Sequence, residues 1–550
     1  MASTYPAPPT QQAVNSSTFM PPPIDGSIST SQTIDFHLAN NPTYPIFRFA
    51  AGDSSKPAYE DILWRDAGQA IHRAARFAQA HIEASPNSTT PPVVVIFASV
   101  ELLHYCTLAY GALRAGFVVH FISPRRSPAV IPHLFLKTDV THVLVDESMQ
   151  GLTDSVVNEL KKEAAAIIPT ILEVPPFTDL FIENDPRFDA LPAMENVNLD
   201  TAALIMNSSG STSFPKAIYF THRGLVEWSR ALWYGDRDLF GDIMGMQAAY
   251  PFYGSANLLL VSAFTSGCIC AIRSPFGTPT AITPKGLIEE IIATQTTVLS
   301  TAPSILELYG GAPLMKDVGT ALSASGVHIT TGYGTTEVGT VSKFFSGPQP
   351  AAEWDYFELS PQVSSYMKPV EGRPGLFELI IISSPTYQLQ VHNTEIDGKP
   401  AYATGDILLQ HSINPKKYKV VGRTDDQLAL STGVKLNPLP VEVRVKASPL
   451  VNSALMFGAG KTKLGILIEP VEPVDDTNPE AVSAFREAIW KTVDDASAIN
   501  GDDRIAKEMI LVTKPSKPFL YTEKGSIRRS SVMELYAEEI EAAYAAGDSL

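Results

Sequence analysis

The chain has 550 residues, too many for one ordinary hydrophobic core, so two or more domains are expected. Its 45% hydrophobic and 18% charged residues are those of a globular protein, and a formal net charge of −17 argues against nucleic acid or an anionic membrane as partner. Three cysteines, an odd and sparse number, imply no disulfide framework and fit a reducing, cytoplasmic compartment.

Residues 1–23 are rich in Pro, Ser and Thr, carry no charged side chain and lack the pattern of a signal peptide. They read as a disordered tail, bounded at residue 27. Tyr59 to Ala84 has apolar residues at helical spacing and predicts a long amphipathic helix. Pro92-Val-Val-Val-Ile-Phe97 is a continuous β-branched run, hence a strand buried on both faces. A helix over Leu102–Gly116 follows, then strands over Phe117–Ile122 and Thr141–Val145. Strand and helix alternating at this spacing predict parallel sheets with crossover helices. Glu183 to Asn198, acidic and Pro-bearing, reads as a surface link.

Next comes an apolar strand, Ala202-Ala-Leu-Ile-Met206, and then Asn207-Ser-Ser-Gly-Ser-Thr-Ser-Phe-Pro-Lys-Ala217. Lys216 to Phe220 reads as the return strand, and Thr221 as the N-cap of a helix. A loop of small hydroxyl residues between strands lets backbone N–H groups approach a polyphosphate, with Lys216 as a point charge. A Ser/Thr-rich surface turn is the alternative, and no Walker G-x-x-x-x-G-K-[ST] loop occurs. Ile243 to Ile272 has no Asp, Glu, Lys or Arg, but Gln247, Pro251, Gly254, Ser255 and Asn257 interrupt it. It therefore predicts a buried loop and helix rather than a membrane span. Gly286–Thr294 reads as a helix, Thr297–Ser300 as a strand, and Gly375–Ile382 as a strand outside the alternation. The character changes near Gly422. Short strands (Ala454–Phe457, Leu464–Ile468) and helices (Ala481–Ala496, Ser531–Ala545) then make a second domain, which divides the chain into 28–423 and 424–550.

Four more stretches stand in order after the hydroxyl-rich loop: Leu308-Tyr-Gly-Gly-Ala-Pro-Leu314, Thr331-Gly-Tyr-Gly-Thr-Thr-Glu-Val338, Tyr402-Ala-Thr-Gly-Asp-Ile407 and Val421-Gly-Arg-Thr-Asp-Asp-Gln-Leu428. Alone, each could be an ordinary turn. Together the five resemble the motifs of the adenylate-forming (AMP-binding) superfamily, which includes acyl-CoA ligases, luciferases and the adenylation domains of peptide synthetases. The resemblance implies an α/β fold: a large N-terminal adenylate-forming domain of parallel and mixed sheets with flanking helices, plus a small mobile α+β C-terminal domain.

It also implies roles. Ser208, Ser209, Ser211, Thr212 and Lys216 would hold the polyphosphate of ATP. Tyr333 would stack on adenine, with Gly332, Gly334 and Ala312 close to the nucleotide. Thr336 would donate to the α-phosphate, and Glu337 would hold Mg²⁺, a hard cation that takes carboxylate and phosphate oxygens. Asp406 would accept the ribose hydroxyls, with Arg423 near the same ribose. His222 is a neighbour of the nucleotide or a structural hydrogen-bonder. Phe252, Tyr253, Ser255, Gly310, Gly311 and Gly332 would line the acid substrate, and Asp425 would be the hinge. The implied chemistry is attack of a carboxylate on the α-phosphorus of ATP with loss of pyrophosphate, then transfer of the acyl group to a phosphopantetheine thiol.

A catalytic lysine is expected from Phe519-Leu-Tyr-Thr-Glu-Lys-Gly-Ser-Ile-Arg-Arg529, where this chain has Lys524-Gly525 in place of Gly-Lys. An ungapped alignment would put Ser526 in the lysine slot, but fungal reductase-type members are similar in having Lys-Gly, so Lys524 is assigned. The hinge region Gly422–Pro438 and the ending Leu535–Tyr544 likewise resemble the adenylation domain of fungal peptide-synthetase-like carboxylic acid reductases. This implies carrier and reductase domains in the parent protein. A stand-alone acyl-CoA ligase and a nucleotide-binding module without turnover are the alternatives. Two departures favour the last. Ser213 replaces the loop glycine, and Pro303-Ser-Ile-Leu-Glu-Leu-Tyr309 runs straight into Gly310 where members carry a helix and a strand. Tyr250–Leu260 has no acidic residue to pair an α-ammonium group, so an aryl, keto or aliphatic acid is expected.

Overall fold

Val93–Phe97 is buried along its whole length because its alternate residues meet two different cores. Val94 and Ile96 join the cluster holding Ile34, Trp64, Leu103 and Phe264, whereas Val93, Val95 and Phe97 join Ile131, Leu134 and Val156. The computed structural model describes the chain except residues 1–4, 6, 54–55, 84–89, 125, 127–129, 164, 184, 196, 209–214, 250–251, 277–282, 301–313, 315, 345–346, 348, 372, 425–426, 432–434, 499–503, 522–526 and 548–550. It separates into two units, Met1–Tyr366 with Ile380–Ala403, and Met367–Leu379 with Thr404–Leu550.

The first unit holds two sheets built on one plan. In the six-stranded sheet the order is Thr170–Glu173, Val140–Val145, Val93–Phe97, Val118–His120, Ala202–Asn207, Ala217–Thr221. Neighbours are parallel up to the final antiparallel hairpin. The five-stranded sheet runs Val298–Leu299, Ile243–Gly245, Ile269–Ile272, Pro45–Asp53, Lys56–Leu63, again parallel up to a closing antiparallel pair. Helices Trp64–His81 and Leu102–Arg114 pack together at Gly111, where a Cβ would lie 2.5 Å from that of Ala74. The architecture is the expected α/β one.

Three elements differ from expectation. The helix predicted from Tyr59 starts at Trp64, because Lys56–Leu63 pairs with Pro45–Asp53 as a strand. Cross-strand partners outweigh the apolar spacing there. The uncharged segment contains two strands, Ile243–Gly245 and Ile269–Ile272, around the helix Gly254–Ser266. No helix among the described residues is long and apolar enough to cross a membrane. The last predicted helix breaks into Arg529–Leu535 and Ala537–Gly547, with the Tyr536 hydroxyl between them donating to Lys517 O.

The N-terminal segment is held by polar contacts. The Gln12 side chain donates to Arg237 O at 3.2 Å and accepts from Leu239 N at 2.8 Å, and Ala13 N donates to Asp238 Oδ1 at 3.0 Å. Phe19 fills the core against Tyr44, ring centroids 4.7 Å apart.

The second unit is α+β. Val451–Phe457 pairs antiparallel with Gly465–Pro470, and Ile510–Val512 runs parallel to the latter. Helices Leu439–Lys446, Pro479–Ser497 and Arg529–Leu535 supply Val441, Ile489 and Val532 to its core. All three cysteines are free and buried, and burial pushes the thiols of Cys106 and Cys268 up to about 12.

Candidate functional site

The strands on either side of the hydroxyl-rich loop form an antiparallel hairpin. Met206 pairs with Ile218 and Asn207 with Ala217, and Ser208 N donates to Lys216 O at 3.0 Å. Asn207 is fixed on both sides: His120 Nε2 lies 3.0 Å from its Oδ1, and its Nδ2 donates to Phe121 O at 2.9 Å. Burial pulls the His120 imidazole down to about 4, so it holds Asn207 as a neutral ring. Ser208 is buried and Lys216 exposed; Ser209, Ser211, Thr212 and Ser213 lie outside the described residues. The return strand delivers His222 as the first residue of the helix His222–Ser229, whose N-cap Thr221 accepts from Gly224 N at 3.1 Å. His222 is buried, its Nδ1 has no hydrogen-bond partner, and burial holds its ring below the usual range.

The Thr331–Val338 stretch is a second small hairpin, Gly334–Thr335 against Gly339–Thr340, with Thr336 and Glu337 in its turn. Tyr333 precedes it and stacks on Phe357, centroids 5.2 Å apart and planes at 18°. Tyr333 N donates to Ser342 Oγ at 2.8 Å, and Tyr333 O accepts from Val341 N and Ser342 N at 3.0 Å. Gly339 has φ of +74°, and a Cβ there would sit 2.8 Å from Trp228 Nε1 and 3.1 Å from the Tyr387 hydroxyl. That hydroxyl donates to Val338 O and lies 3.0 Å from Thr340 O.

Beneath the hairpin is a small cavity lined by Glu227, Trp228, Glu337, Val338, Tyr387 and Gln390. Glu227 is 3% exposed and accepts from Gln388 N at 3.0 Å and from the Tyr5 hydroxyl at 3.4 Å. Burial pushes its carboxyl up to about 7, against the pull of Gln388 N–H and the guanidinium groups of Arg223 and Arg230.

These donors suit a phosphate ligand with a hard cation. Thr335 Oγ1 and His222 Nδ1 are buried polar atoms without partners, and Lys216 is an exposed cation at the loop's end. Among the described residues no three His, Cys, Asp or Glu gather as a metal site, so a cation here would draw on Glu337 and on ligand oxygens.

The helix Gly254–Ser266 starts beside the strand Ala202–Asn207. A Cβ on Gly254 would lie 3.5 Å from Met206 Sδ, one residue before Asn207. Phe252 and Tyr253 precede that helix, their rings 5.0 Å apart at 74°, and Phe252 packs on the core. Ser255 is exposed, and Gly332 has open space where a Cβ would stand. Gly310, Gly311 and Ala312 lie outside the described residues.

In the second unit Asp406 and Arg423 are cross-strand partners, Nη1 3.0 Å from Oδ1. Asp425 and Lys524 lie outside the described residues, but both ends of the Lys524 loop are pinned. Tyr521 bridges Ile527, and its hydroxyl is bonded to Ser453 Oγ at 2.8 Å and to Glu469. Arg529 donates to both oxygens of the buried Glu442 at 2.9 and 2.7 Å. Sequence reasoning missed Glu227, Tyr387, Glu442 and Glu469. Each acts through a partner 49 to 161 residues away, and no local pattern marks such pairs.

Residues 39–361 match the AMP-binding enzyme family, and residues 425–548 match the AMP-binding enzyme C-terminal domain. The chain is similar to an adenylate-forming reductase of Heterobasidion annosum, 35% identical over 574 aligned residues that cover 99% of this chain and 52% of that protein. An adenylate-forming reductase of Serpula lacrymans is 31% identical, covering 95% of this chain and 50% of its own length. The chain thus spans about half the length of these relatives. The Heterobasidion alignment exceeds the 550 residues here by 24 (574 minus 550), so at least that many positions lack a counterpart in this chain. The fold resembles the A domain of a carboxylic acid reductase from Segniliparus rugosus, solved with AMP and a co-purified carboxylic acid. Its TM-score is 0.66 at 17% identity, covering 94% of each chain.

Proposed function

The chain belongs to the adenylate-forming, AMP-binding enzyme family, and on that premise we propose that it activates a carboxylic acid with ATP as the adenylation module of a reductase-type protein. In the first step a carboxylate oxygen forms a bond to the α-phosphorus of ATP. The bond from that phosphorus to the bridging oxygen breaks, and pyrophosphate leaves with the electron pair. In the second step a carrier phosphopantetheine thiol, losing its proton, attacks the acyl carbon and AMP leaves.

Both reactants of the first step are anions, so the protein's work is neutralisation and alignment. Lys216 and the loop 208–216 would bind the polyphosphate, Thr336 would donate to the α-phosphate, and Lys524 would face the charge developing there. Tyr333 would offer adenine the ring face away from Phe357. Asp406, oriented by Arg423, would take the ribose hydroxyls. Mg²⁺, when bound, supplies positive charge to the phosphate oxygens; Glu337 would be its protein ligand.

The observation that carries this reading is the clamped hairpin Gly334–Thr340, which presents Thr336 and Glu337 from a rigid support rather than a free loop. The relatives' names support the reductase-type context. The positions missing against the Heterobasidion protein favour a second reading, a module that binds nucleotide without turnover. ATP–pyrophosphate exchange over a panel of acids tests both, since only the first reading predicts acid-dependent exchange.

A further inference from the structure

We propose that Glu227 is a positioning residue: its carboxylate holds Gln388, and through it the Tyr387 side chain, against the hairpin that carries Thr336 and Glu337. The inference rests on the function proposed above for what those two residues do.

The hairpin cannot set its own position. It has only two residue pairs, Gly334 with Thr340 and Thr335 with Gly339, and a ladder that short has little independent stability. Its place must come from neighbours, and the helix His222–Ser229 supplies two. Trp228 touches it directly, occupying the space at Gly339 that any side chain there would need. Glu227 reaches it through one relay: Gln388 N donates to Glu227 Oε2 at 3.0 Å, and the adjacent Tyr387 hydroxyl bonds the hairpin carbonyls of Val338 and Thr340.

The helix is itself fixed. The Glu227 carbonyl accepts from Gln362 Nε2 at 3.3 Å, the Trp228 carbonyl from Ser262 Oγ at 2.8 Å, and the Tyr5 hydroxyl meets Glu227 Oε1 at 3.4 Å. A carboxylate at 3% exposure is costly to bury, and an apolar residue would pack there at less cost. Its use is geometric: it gives the Gln388 backbone N–H an acceptor that reaches it from this helix at 3.0 Å. A catalytic group displaced by about 1 Å can lose on the order of a hundredfold in rate, which makes such a support functional.

The test uses the full chain with Glu227→Ala, Glu227→Gln and Tyr387→Phe, read two ways. Hydrogen–deuterium exchange of the peptide covering residues 334–342 reports the hairpin without requiring turnover. Exchange kinetics report kcat and KM separately. Glu227→Ala and Tyr387→Phe are expected to speed deuteration of that peptide, and to lower kcat about tenfold each, the size of one hydrogen bond to a charged or buried group. KM for the acid should stay within about twofold, because the hairpin aligns the phosphate rather than the acid. The two effects should fall short of additive in the double variant, since both act through one relay. Glu227→Gln retains an oxygen acceptor and should recover most of both properties.

Unchanged deuteration of 334–342 in Glu227→Ala and Tyr387→Phe overturns the proposal, as does a kcat loss in Glu227→Gln equal to that of Glu227→Ala. If Glu227→Ala does not fold, Tyr387→Phe and Glu227→Gln decide. If the wild type exchanges pyrophosphate with no acid, the functional reading fails while the deuteration result still judges the relay.

Discussion

The Arg423 guanidinium lies 3.0 Å from Asp406 Oδ1 across an antiparallel pair in which the two residues are direct partners. Asp406 sits just after Gly405, whose φ is +74° and whose missing Cβ leaves room for Arg423 Nη2 at 3.0 Å. The pair holds one buried carboxylate on a two-stranded ladder, and the ribose contact proposed for Asp406 can be tested by its removal. Asp406→Ala is expected to weaken ATP binding by roughly tenfold or more, as the loss of hydrogen bonds to a charged acceptor. Its melting temperature should change little, because Arg423 is 42% exposed and such ion pairs contribute about 0–1 kcal/mol. Titration calorimetry with ATP checks this; an unchanged dissociation constant removes Asp406 from the nucleotide site.

Lys524 should matter to chemistry and not to binding. Lys524→Ala is expected to lower acyl-adenylate formation by at least about a hundredfold, the scale of one lost electrostatic partner in the transition state, and to leave ATP affinity within about twofold. Tyr521→Phe, which removes the hydroxyl bonded to Ser453 and Glu469, should cost less, since the Tyr521–Ile527 bridge and the Arg528 N to Leu520 O bond at 2.8 Å still close the loop. Exchange that survives Lys524→Ala and is lost in Lys435→Ala would reassign the lysine.

Acid should destabilise the first unit through buried histidines. Burial pulls His37 down to about 3 and His120 to about 4, against 6.5 for an exposed histidine. His37 is wedged between Trp64, centroids 3.9 Å apart, and Phe264 O, 2.8 Å from its Nε2. Both rings are neutral when folded and take a proton more readily when unfolded. Their contribution is therefore complete above pH 6.5 and lost as pH falls toward 4 and 3, at about 1.4 kcal/mol per pH unit per histidine. Glu227 acts in the opposite sense: raised from 4.5 to about 7, its contribution is complete below 4.5 and lost as pH rises through 7. Denaturant midpoints between pH 7.5 and 5.5 should show a shallower acid decline for His37→Phe than for wild type, and a steeper one for Glu227→Gln. Parallel curves for all three would contradict these assignments.

What the sequence disclosed follows from how local each signal is. The run Val93–Phe97 was legible because both of its faces are buried, and residues 202–221 because a strand, a polar turn, a return strand and an N-cap follow one another directly. Tyr59–Leu63 reads as helix because its own apolar spacing merges with the helix at Trp64, whereas its strand character comes from Pro45–Asp53. A Pro- and Ser-rich start without charge reads as a tail, yet Gln12 and Ala13 find partners near residue 238, more than two hundred residues on. The stretches that carry the family resemblance are visible as local motifs. Their supports, Tyr387 and Glu227 under the hairpin and Glu442 behind Arg529, are not, because each is an ordinary residue until the fold brings its partner to it.

The central claim is that this chain activates a carboxylic acid with ATP, and ATP–pyrophosphate exchange across a panel of benzoic, phenylpyruvic, short aliphatic and standard L-amino acids tests it most directly. Tyr250–Leu260 offers Phe252 and Tyr253 and no carboxylate for an α-ammonium group, whose unpaired burial costs several kcal/mol or so. The expected result is exchange that depends on an added acid, strongest with an aryl or keto acid and at background with L-amino acids. Dominant exchange with an L-amino acid would contradict the reading of the acid pocket. ATP binding with no exchange for any acid would contradict the central claim and leave the chain a nucleotide-binding module.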